Sequence, residues 1–444
     1  MAGVSTLEEV HLGEAFLSSV NRIGGEFFRG CTSLTALNLS TLGTQAQLTS
    51  IPSHFLSNCG ALRELTLSRM DHVTSVGDHF LSAAASLEAI DLCEAMPNLT
   101  ALGSSFLSSC VRLRYAKFGQ ALSVVCNVPS DFLSRCKSLV SLDLTMLRSV
   151  TAIQASFLQG CSSLSELLLP RFASSNEEVE GPPLDHGSQL RKIGKFFLSQ
   201  CASLAYVDVE FFRNVTDIGD SFLTGCCRLA DMSGVFPTLP LSSVVTVGAN
   251  FLQDCSNLTA FDFGVFEHHL SQFNSAGLFS GCSSLADVGN LDVAFRGHPK
   301  LGRSCLQDCV GLTRIDLGAP LPLVVAIDDF VLHGCRHLTT VNLEGLLNVR
   351  SIGFAFLSEC STLRELSWYN MGCSVTKIGI GFLDGCTSLP AIDLVGFASV
   401  TSVGDYFLEN CDSLQQLHIS LEPSDCTTSL SIDGVEQKRP RTPQ

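Results

Sequence analysis

Cysteine is the residue whose number and spacing in this sequence most strongly suggest chemistry. The 444-residue chain has 20 cysteines, and fourteen of them recur at steps of mostly 25 to 27 residues. These column cysteines are Cys31, Cys59, Cys110, Cys136, Cys161, Cys201, Cys226, Cys255, Cys282, Cys309, Cys335, Cys360, Cys386 and Cys411, with Ala84 at the one vacant place. Such residues could ligate a metal, form disulfides or perform redox chemistry. They could also fill a core as small hydrophobic side chains, which is the interpretation we favour.

The residues around the column cysteines do not complete a catalytic or metal-binding motif. His333, Cys335 and His337 form the densest ligand-like cluster, but Cys335 belongs to the column and should point inward. His268 and His269 are adjacent and therefore poorly placed to share one ion. The sequence has no H-E-x-x-H, P-loop or G-x-S-x-G motif. It predicts a protein that is not an enzyme and has no cofactor and no metal.

The column cysteines mark a repeat of the form C-x-x-L-x-x-L-x-L-x-x-L-x-x-V-T-x-I-G-x-x-F-L-x-x. The segment VTDIGDSFLTGC, residues 215–226, is one copy of its second half. L-x-L alternates with period two, which predicts a short strand with one buried face. V-T-x-I predicts a second extended piece, and the glycine after it predicts a turn. Phenylalanine and cysteine are four residues apart, so one helical turn would bury both.

A single unit of this kind cannot bury its apolar faces alone, whereas stacked units can, which predicts a solenoid. Aspartates follow the repeat glycine at Asp78, Asp220 and Asp405, where we expect them to cap the next turn. The fourteen cysteines and Ala84 predict about fifteen coils.

This pattern resembles a leucine-rich repeat, and its I-G-x-x-F-L-x-x-C segment resembles the BspA-like (Treponema-type) class, over residues 7–419. The resemblance implies an α/β solenoid, a single curved horseshoe with a parallel concave β-sheet and short strands or helical turns on the convex side. It implies protein binding or scaffolding. Because this class occurs in bacterial surface proteins, it also leaves open a fragment of a secreted or cell-surface adhesin or antigen.

The repeat length and the cysteine also resemble the leucine-rich repeats of ubiquitin-ligase substrate receptors. Those repeats usually carry a second cysteine, at places where this chain has leucine, as at Leu147 and Leu346. This second resemblance implies a substrate receptor or regulatory scaffold of a ubiquitin ligase or another enzyme complex.

Composition and local irregularities set the remaining expectations. We expect the solenoid to cover residues 1–419, with an inserted loop at 170–189 that is rich in Pro, Gly, Ser and acidic residues, and a flexible tail at 420–444. A net charge of −16 disfavours nucleic acid and anionic membranes as partners. No apolar run spans a bilayer, and the opening residues do not form a signal peptide. We therefore expect a cytoplasmic protein, or a secreted or cell-surface one if the N-terminus is truncated.

The residue between the two leucines of L-x-L should face outward on the concave sheet. This place holds Asp91, Asp143, Asp208, Asp262, Asp316 and Asp393, and two residues earlier stand Tyr115 and Tyr206. These residues predict an acidic surface with tyrosine anchors for a protein or peptide, possibly a basic one. The alternative is that L-D-L reflects repeat duplication and solubility. Trp368 falls at an inward place and should be core, whereas Tyr369 should be exposed.

Overall fold

The structure is a stack of similar coils, each of which contributes two short parallel strands. The computed structural model describes residues 2–42, 48–170, 188–230, 243–266, 270–368, 371, 374–394 and 397–418. The LxL strands form one ladder and the V-T-x-I strands form a second. About thirteen coils are present, slightly fewer than the fifteen expected, and the predicted class of parallel solenoid is confirmed.

The first ladder, called the LxL ladder, consists of three- and four-residue strands. Its strands are β1 Ala36–Leu39, β3 Glu64–Leu67, β5 Ala89–Asp91, β7 Tyr115–Lys117, β9 Ser141–Asp143, β11 Glu166–Leu168, β15 Ala260–Asp262, β17 Asp287–Gly289, β19 Arg314–Asp316, β21 Thr340–Asn342, β23 Glu365–Ser367, β25 Ala391–Asp393 and β27 Gln416–His418. Every pairing is parallel, for example Asp91 with Lys117 and Asp143 with Leu168. Within the described residues this ladder is divided into six small sheets.

The second ladder consists of two-residue strands from the V-T-x-I segments. Its strands are β2 Ser50–Ile51, β4 Ser75–Val76, β6 Ala101–Leu102, β8 Asn127–Val128, β10 Ala152–Ile153, β12 Lys192–Ile193, β13 Asp217–Ile218, β14 Thr246–Val247, β16 Gln272–Phe273, β18 Lys300–Leu301, β20 Ala326–Ile327, β22 Ser351–Ile352, β24 Lys377–Ile378 and β26 Ser402–Val403. In the part of the chain that the structure describes, its strands form three sheets, divided between β6 and β8 and between β16 and β18. The shorter strands therefore form the more continuous ladder.

Helices are few and short. The one α-helix of the described residues, α1, spans Glu14–Ser18. The 3-10 helices of the described part are Gly119–Leu122, Val209–Phe212, Phe263–Phe266, Leu291–Phe295 and Phe397–Ser399. No helix of the described part is long and apolar enough to cross a membrane.

The repeat glycine allows neighbouring coils to approach closely, which differs from the expected turn. Gly219 has no positive φ, and a Cβ added there would lie 2.6 Å from the backbone nitrogen of Lys195 in the preceding coil. A Cβ on Gly194 would likewise lie 2.5 Å from the carbonyl carbon of Gln154. The glycine N–H also donates across the coils, from Gly219 to the Ile193 carbonyl at 2.9 Å. The residue is small because the next backbone is too near for a side chain.

The aspartates after the glycine also bond between coils. Asp78 Oδ1 accepts the backbone N–H of Ser104 at 2.7 Å, and Asp220 Oδ1 accepts that of Ala249 at 3.0 Å. Each donor holds the equivalent place in the following coil. The expectation that they cap the next turn of their own coil was therefore wrong for these two. For Asp405 the capping role stays a prediction.

The sequence predicted a helical turn for the F-L-x-x-C segment, and this prediction was wrong. In residues 221–226 alternate residues are left-handed, with φ of 60° at Ser221, 56° at Leu223 and 74° at Gly225. Their N–H groups therefore bond to different coils: Ser221 and Gly225 donate to the following coil and Leu223 to the preceding one. Left-handed backbone is unfavourable for a leucine, and the regular hydrogen bonds between coils offset this cost.

The predicted burial in this segment is nevertheless confirmed. Phe222 and Cys226 are 4% and 0% exposed. The phenylalanines stack as a column of near-parallel rings at centroid distances of 5.0–5.8 Å. This column is Phe27, Phe55, Phe80, Phe106, Phe132, Phe157, Phe197, Phe222 and Phe251. Cys305 holds the equivalent place further along, at 1% exposure, as expected of a core replacement.

The long step in the repeat leaves the stack intact. Residues 171–187 lie outside the described part, and so does the predicted loop apart from its ends. Strands β10 and β12 on either side of it are paired, and Phe157 stacks on Phe197 at 5.2 Å. Ser188 is buried and donates from Oγ to the Phe211 carbonyl at 2.7 Å. The domain limits, including the tail at 420–444, stay predictions.

Candidate functional site

The outward side chains of the LxL strands form a row along the solenoid, called the LxL face. Within β9 the middle residue Leu142 is buried and Asp143 is exposed. Strands β5, β7, β11, β19 and β25 have a full exposed–buried–exposed pattern. Because successive side chains of a strand alternate, burial of the apolar middle residue orients its acidic neighbours toward solvent.

The aspartates of the LxL face have a structural role at the ends of the strands. Asp143 Oδ1 accepts the backbone N–H of Thr145 at 2.9 Å, two residues further on. Asp91, Asp262 and Asp316 accept in the same way, at 2.8–3.0 Å. These contacts are Asx turns, in which the side chain ends the strand by satisfying a backbone donor. Asn38 makes the same turn with Ser40 at 2.9 Å, so the turn itself does not require a charge.

The carboxylate of Asp91 is held in the charged form at its turn. The pKa of Asp91 is lowered, because the backbone N–H of Cys93 and then its side chain bond to the ionised group. Exposed carboxylates of the LxL strands are Glu64, Asp91, Asp143, Glu166, Asp262, Asp287, Asp316, Glu365 and Asp393. The same strand positions carry two permanent cations: Lys117, which stands opposite Asp91, and Arg314, which pairs with Asp316 at 2.7 Å.

Asp208 does not share this arrangement. It is 7% exposed, whereas the other five predicted aspartates are exposed. Residues 206–208 form no strand, and the chain continues directly into the 3-10 helix Val209–Phe212. Because the helix replaces the strand end, Asp208 is turned away from solvent. The expectation of an exposed carboxylate at Asp208 was therefore wrong.

The two predicted tyrosine anchors are both exposed, Tyr115 by 54% and Tyr206 by 52%. Tyr115 is the first residue of strand β7, whereas Tyr206 lies two residues before Asp208 in a coil that forms no LxL strand. Trp368 is 4% exposed, and its Nε1 donates to the Asp393 carbonyl at 2.7 Å, so its predicted place in the core is confirmed. Tyr369, His268 and His269 lie outside the described residues.

The column cysteines are buried, apart from the half-buried Cys411, and form hydrogen bonds that their spacing did not predict. Each column cysteine after Cys31 donates from its Sγ to a carbonyl oxygen of the preceding coil, at 3.0–3.3 Å. The acceptor is always three residues before the preceding column residue. Burial raises the pKa of Cys161 and of Cys226 to about 12, so these thiols stay protonated and unreactive.

The residues of the cluster at His333, Cys335 and His337 have structural contacts and do not form a metal site. Cys335 is buried and donates to the Leu306 carbonyl at 3.1 Å, away from His337, which is exposed. The rings of His333 and Phe330 pack in a T-shaped arrangement, with their centroids 5.7 Å apart. In the part of the chain that the structure describes, no three His, Cys, Asp or Glu side chains could jointly hold a metal ion.

The family assignment follows from these repeats. The BspA type leucine rich repeat region matches the chain in six copies, over residues 6–128, 183–291 and 299–428. The chain belongs to this family. No curated protein sequence matches the chain at a significant level.

A solved bacterial leucine-rich repeat protein shares the fold of this BspA-type chain. A leucine-rich repeat protein from Bacteroides ovatus is 19% identical, covers 86% of each chain and has a TM-score of 0.50. One from Eubacterium ventriosum is 16% identical over 80% of this chain and 83% of its own, with a TM-score of 0.40. At this identity the similarity concerns the fold alone, so function must be argued from the LxL face of this BspA-type solenoid.

Proposed function

We propose that this chain is a non-enzymatic recognition or scaffolding protein whose LxL face binds a basic protein or peptide. The observation that carries the proposal is that the LxL strands expose nine carboxylates and only two permanent cations among the described residues. An extended surface of this kind is what solenoid proteins commonly use for binding. A basic ligand would be attracted to the face and oriented along it.

The turn geometry alone does not account for these charges. Asn38 and Asn342 make the same Asx turn without charge. Glu64, Glu166 and Glu365 are the first residues of their strands, so they do not form the turn at the strand end. A role in the repeat therefore explains the oxygen at the strand end, while the negative charge needs a second explanation, either solubility or a ligand.

The test separates charge from turn formation. The face variant carries Asp91→Asn, Asp143→Asn and Asp316→Asn, which keep the Oδ1 acceptor and remove three charges. The control variant carries Asp308→Asn, Asp405→Asn and Asp412→Asn, at exposed places outside the LxL strands. Each chain is used as bait for affinity capture from the native cell, followed by quantitative mass spectrometry.

We expect a basic protein that the wild-type and control chains capture equally and that the face variant captures at least about fivefold less, with the difference shrinking at high salt. Equal capture by all three chains would remove the acidic face from the proposal. Capture only of proteins without a basic surface would remove the ligand class.

The two alternatives, a surface adhesin or antigen and a receptor or scaffold of a ubiquitin ligase, would use the same face in different settings. We propose a reducing, cytoplasmic setting. Eighteen described cysteines are free, and a disulfide would remove a column thiol from its carbonyl acceptor. Asn214, in an N-x-T triplet, donates from Nδ2 to the Ser188 carbonyl at 2.6 Å, so glycosylation there would break a bond between coils. Alkylation after the chain is denatured in cell extract without reductant should label every cysteine as a thiol, and a disulfide or a glycan at Asn214 would contradict this location.

A further inference from the structure

The second ladder carries a groove that differs in charge from the LxL face. It has a volume of about 700 Å³ and runs along strands β13, β14, β16 and β18. The charged side chains on its wall are Lys195, Asp220, Lys300, Arg303 and Asp328, and His298 lies beside them. Burial lowers the pKa of His298, so the imidazole is neutral at pH 7. The groove therefore holds three cations and two carboxylates in a chain of net charge −16.

The groove lies over a break in the ladder. At most other junctions the N–H at the glycine place donates to the preceding coil's strand carbonyl, as from Gly248 to Ile218 at 2.9 Å. Between β16 and β18 the Gly302 N–H instead donates to Ser275 Oγ at 2.8 Å. Among the described residues, no backbone hydrogen bond across this junction uses the Lys300 N–H or the Phe273 carbonyl. Lys300 is a wall residue of the groove, so an N–H without a backbone partner among the described residues lies beside the groove.

The cations differ in how fully they are neutralised. Lys195 Nζ pairs with Asp220 at 2.7 Å, and Lys300 Nζ lies 3.4 Å from Asp328. The guanidinium of Arg303 lies over the Phe330 ring, 5.5 Å from its centroid, and forms no ion pair with a carboxylate of the described residues. The end of the groove at Lys300 and Arg303 therefore has the larger positive excess.

The spacing of the cations sets the size of a ligand. Lys195 and Arg303 each follow a repeat glycine and hold the same place, four coils apart. Four strand spacings amount to roughly 19 Å, and an extended peptide covers that distance with about six residues.

We propose that this groove binds an extended acidic peptide of about six residues, with one carboxylate near Lys195 and the other near Lys300 and Arg303. The Lys300 N–H at the junction would donate to a carbonyl of the peptide backbone. This binding would occur on the second ladder and does not depend on a ligand at the LxL face.

The test uses a blocked, fluorescein-labelled peptide, ESGSSE, with QSGSSQ as its uncharged match, titrated by fluorescence anisotropy against the full chain at about 50 mM salt. We expect saturable binding of ESGSSE below about 1 mM and at least about tenfold weaker binding of QSGSSQ, because two ion pairs are lost. Lys300→Glu should weaken ESGSSE binding at least about fivefold.

Lys377→Glu is the matched control, because Lys377 opens strand β24 as Lys300 opens β18 and lies outside the groove. It has the same net charge change and should leave the affinity unchanged. The proposal is overturned if ESGSSE does not bind below about 1 mM, if QSGSSQ binds equally, or if the two lysine variants weaken binding alike. Circular dichroism confirms that both variants are folded.

Discussion

The thiol of Cys226 donates a hydrogen bond to the carbonyl oxygen of Leu198 in the preceding coil, over 3.3 Å. Leu198 is left-handed, with φ of 52°, and its carbonyl also accepts the N–H of its own column residue, Cys201, at 3.3 Å. Cysteine suits this place because it is small and apolar and still carries a weak donor. The repeated sulfur thus supports the left-handed backbone of the coil before it.

Removing this thiol should destabilise the solenoid. For Cys226→Ala we expect a loss of about 2 kcal/mol in the free energy of unfolding, from the lost donor and the small cavity left in a fully buried site. Urea unfolding followed by circular dichroism measures it. Cys126→Ala is the control, since Cys126 is exposed and its Sγ lies 3.6 Å from the nearby Val124 carbonyl. Equal stability of the two variants would contradict a structural role for the column thiol.

The vacancy in the column offers the reverse experiment. Ala84 is fully buried and supplies no thiol to the Leu56 carbonyl, the acceptor that the pattern assigns to it. Ala84→Cys should complete the column and raise the free energy of unfolding by about 1 kcal/mol. The same urea titration measures the gain. A loss of stability would mean that neighbouring side chains have closed over Ala84 and leave no room for sulfur.

The sequence predicted where the column cysteines lie but not what they bond to. Their period and apolar neighbours were enough to predict burial, as in Cys226. The acceptor lies in another coil and depends on a left-handed leucine, which no pattern of side chains specifies. Gly219 was misinterpreted for a similar reason, because its neighbour is the backbone of Lys195 in the preceding coil.

The candidate surface shows the same limit. Asp143 and Asp208 occupy equivalent places in the repeat, and period-two alternation predicts that both are exposed. Only Asp143 is, since a 3-10 helix follows Asp208 directly. Repeat position therefore predicts orientation where the strand forms, and it fails where the coil is irregular.

Alkaline pH should unfold the chain through its buried thiols. Burial raises the pKa of Cys161, Cys226 and Cys282 from near 9 to about 12. Such a thiol contributes its full stabilisation of the folded chain at pH values below its pKa in the unfolded chain, which is near 9. This contribution is lost as the pH rises from about 9 to 12, because only the unfolded chain releases the proton. Between pH 9 and 10 each such thiol should cost about 1 kcal/mol.

Urea unfolding at pH 8, 9 and 10 measures this loss. Cys226→Ala is the control, because it lacks one such thiol and should lose about 1 kcal/mol less than the wild-type chain between pH 9 and 10. A free energy of unfolding that stays constant over this range would show that the thiols ionise as easily in the fold as in the unfolded chain.

Gly219→Ala should be among the most damaging single-methyl changes in the second ladder. The new Cβ would lie 2.6 Å from the Lys195 nitrogen and 2.7 Å from the Gly194 carbonyl carbon, both backbone atoms that cannot move without separating two coils. We expect a loss of about 3 kcal/mol in the free energy of unfolding, as for overpacking of a close contact. Gly60→Ala is the matched control, since no atom lies within 4 Å of its added Cβ and its φ is not positive. That variant should stay within about 0.5 kcal/mol of the wild-type chain, and a similar small effect at Gly219 would show that the coils can separate without cost.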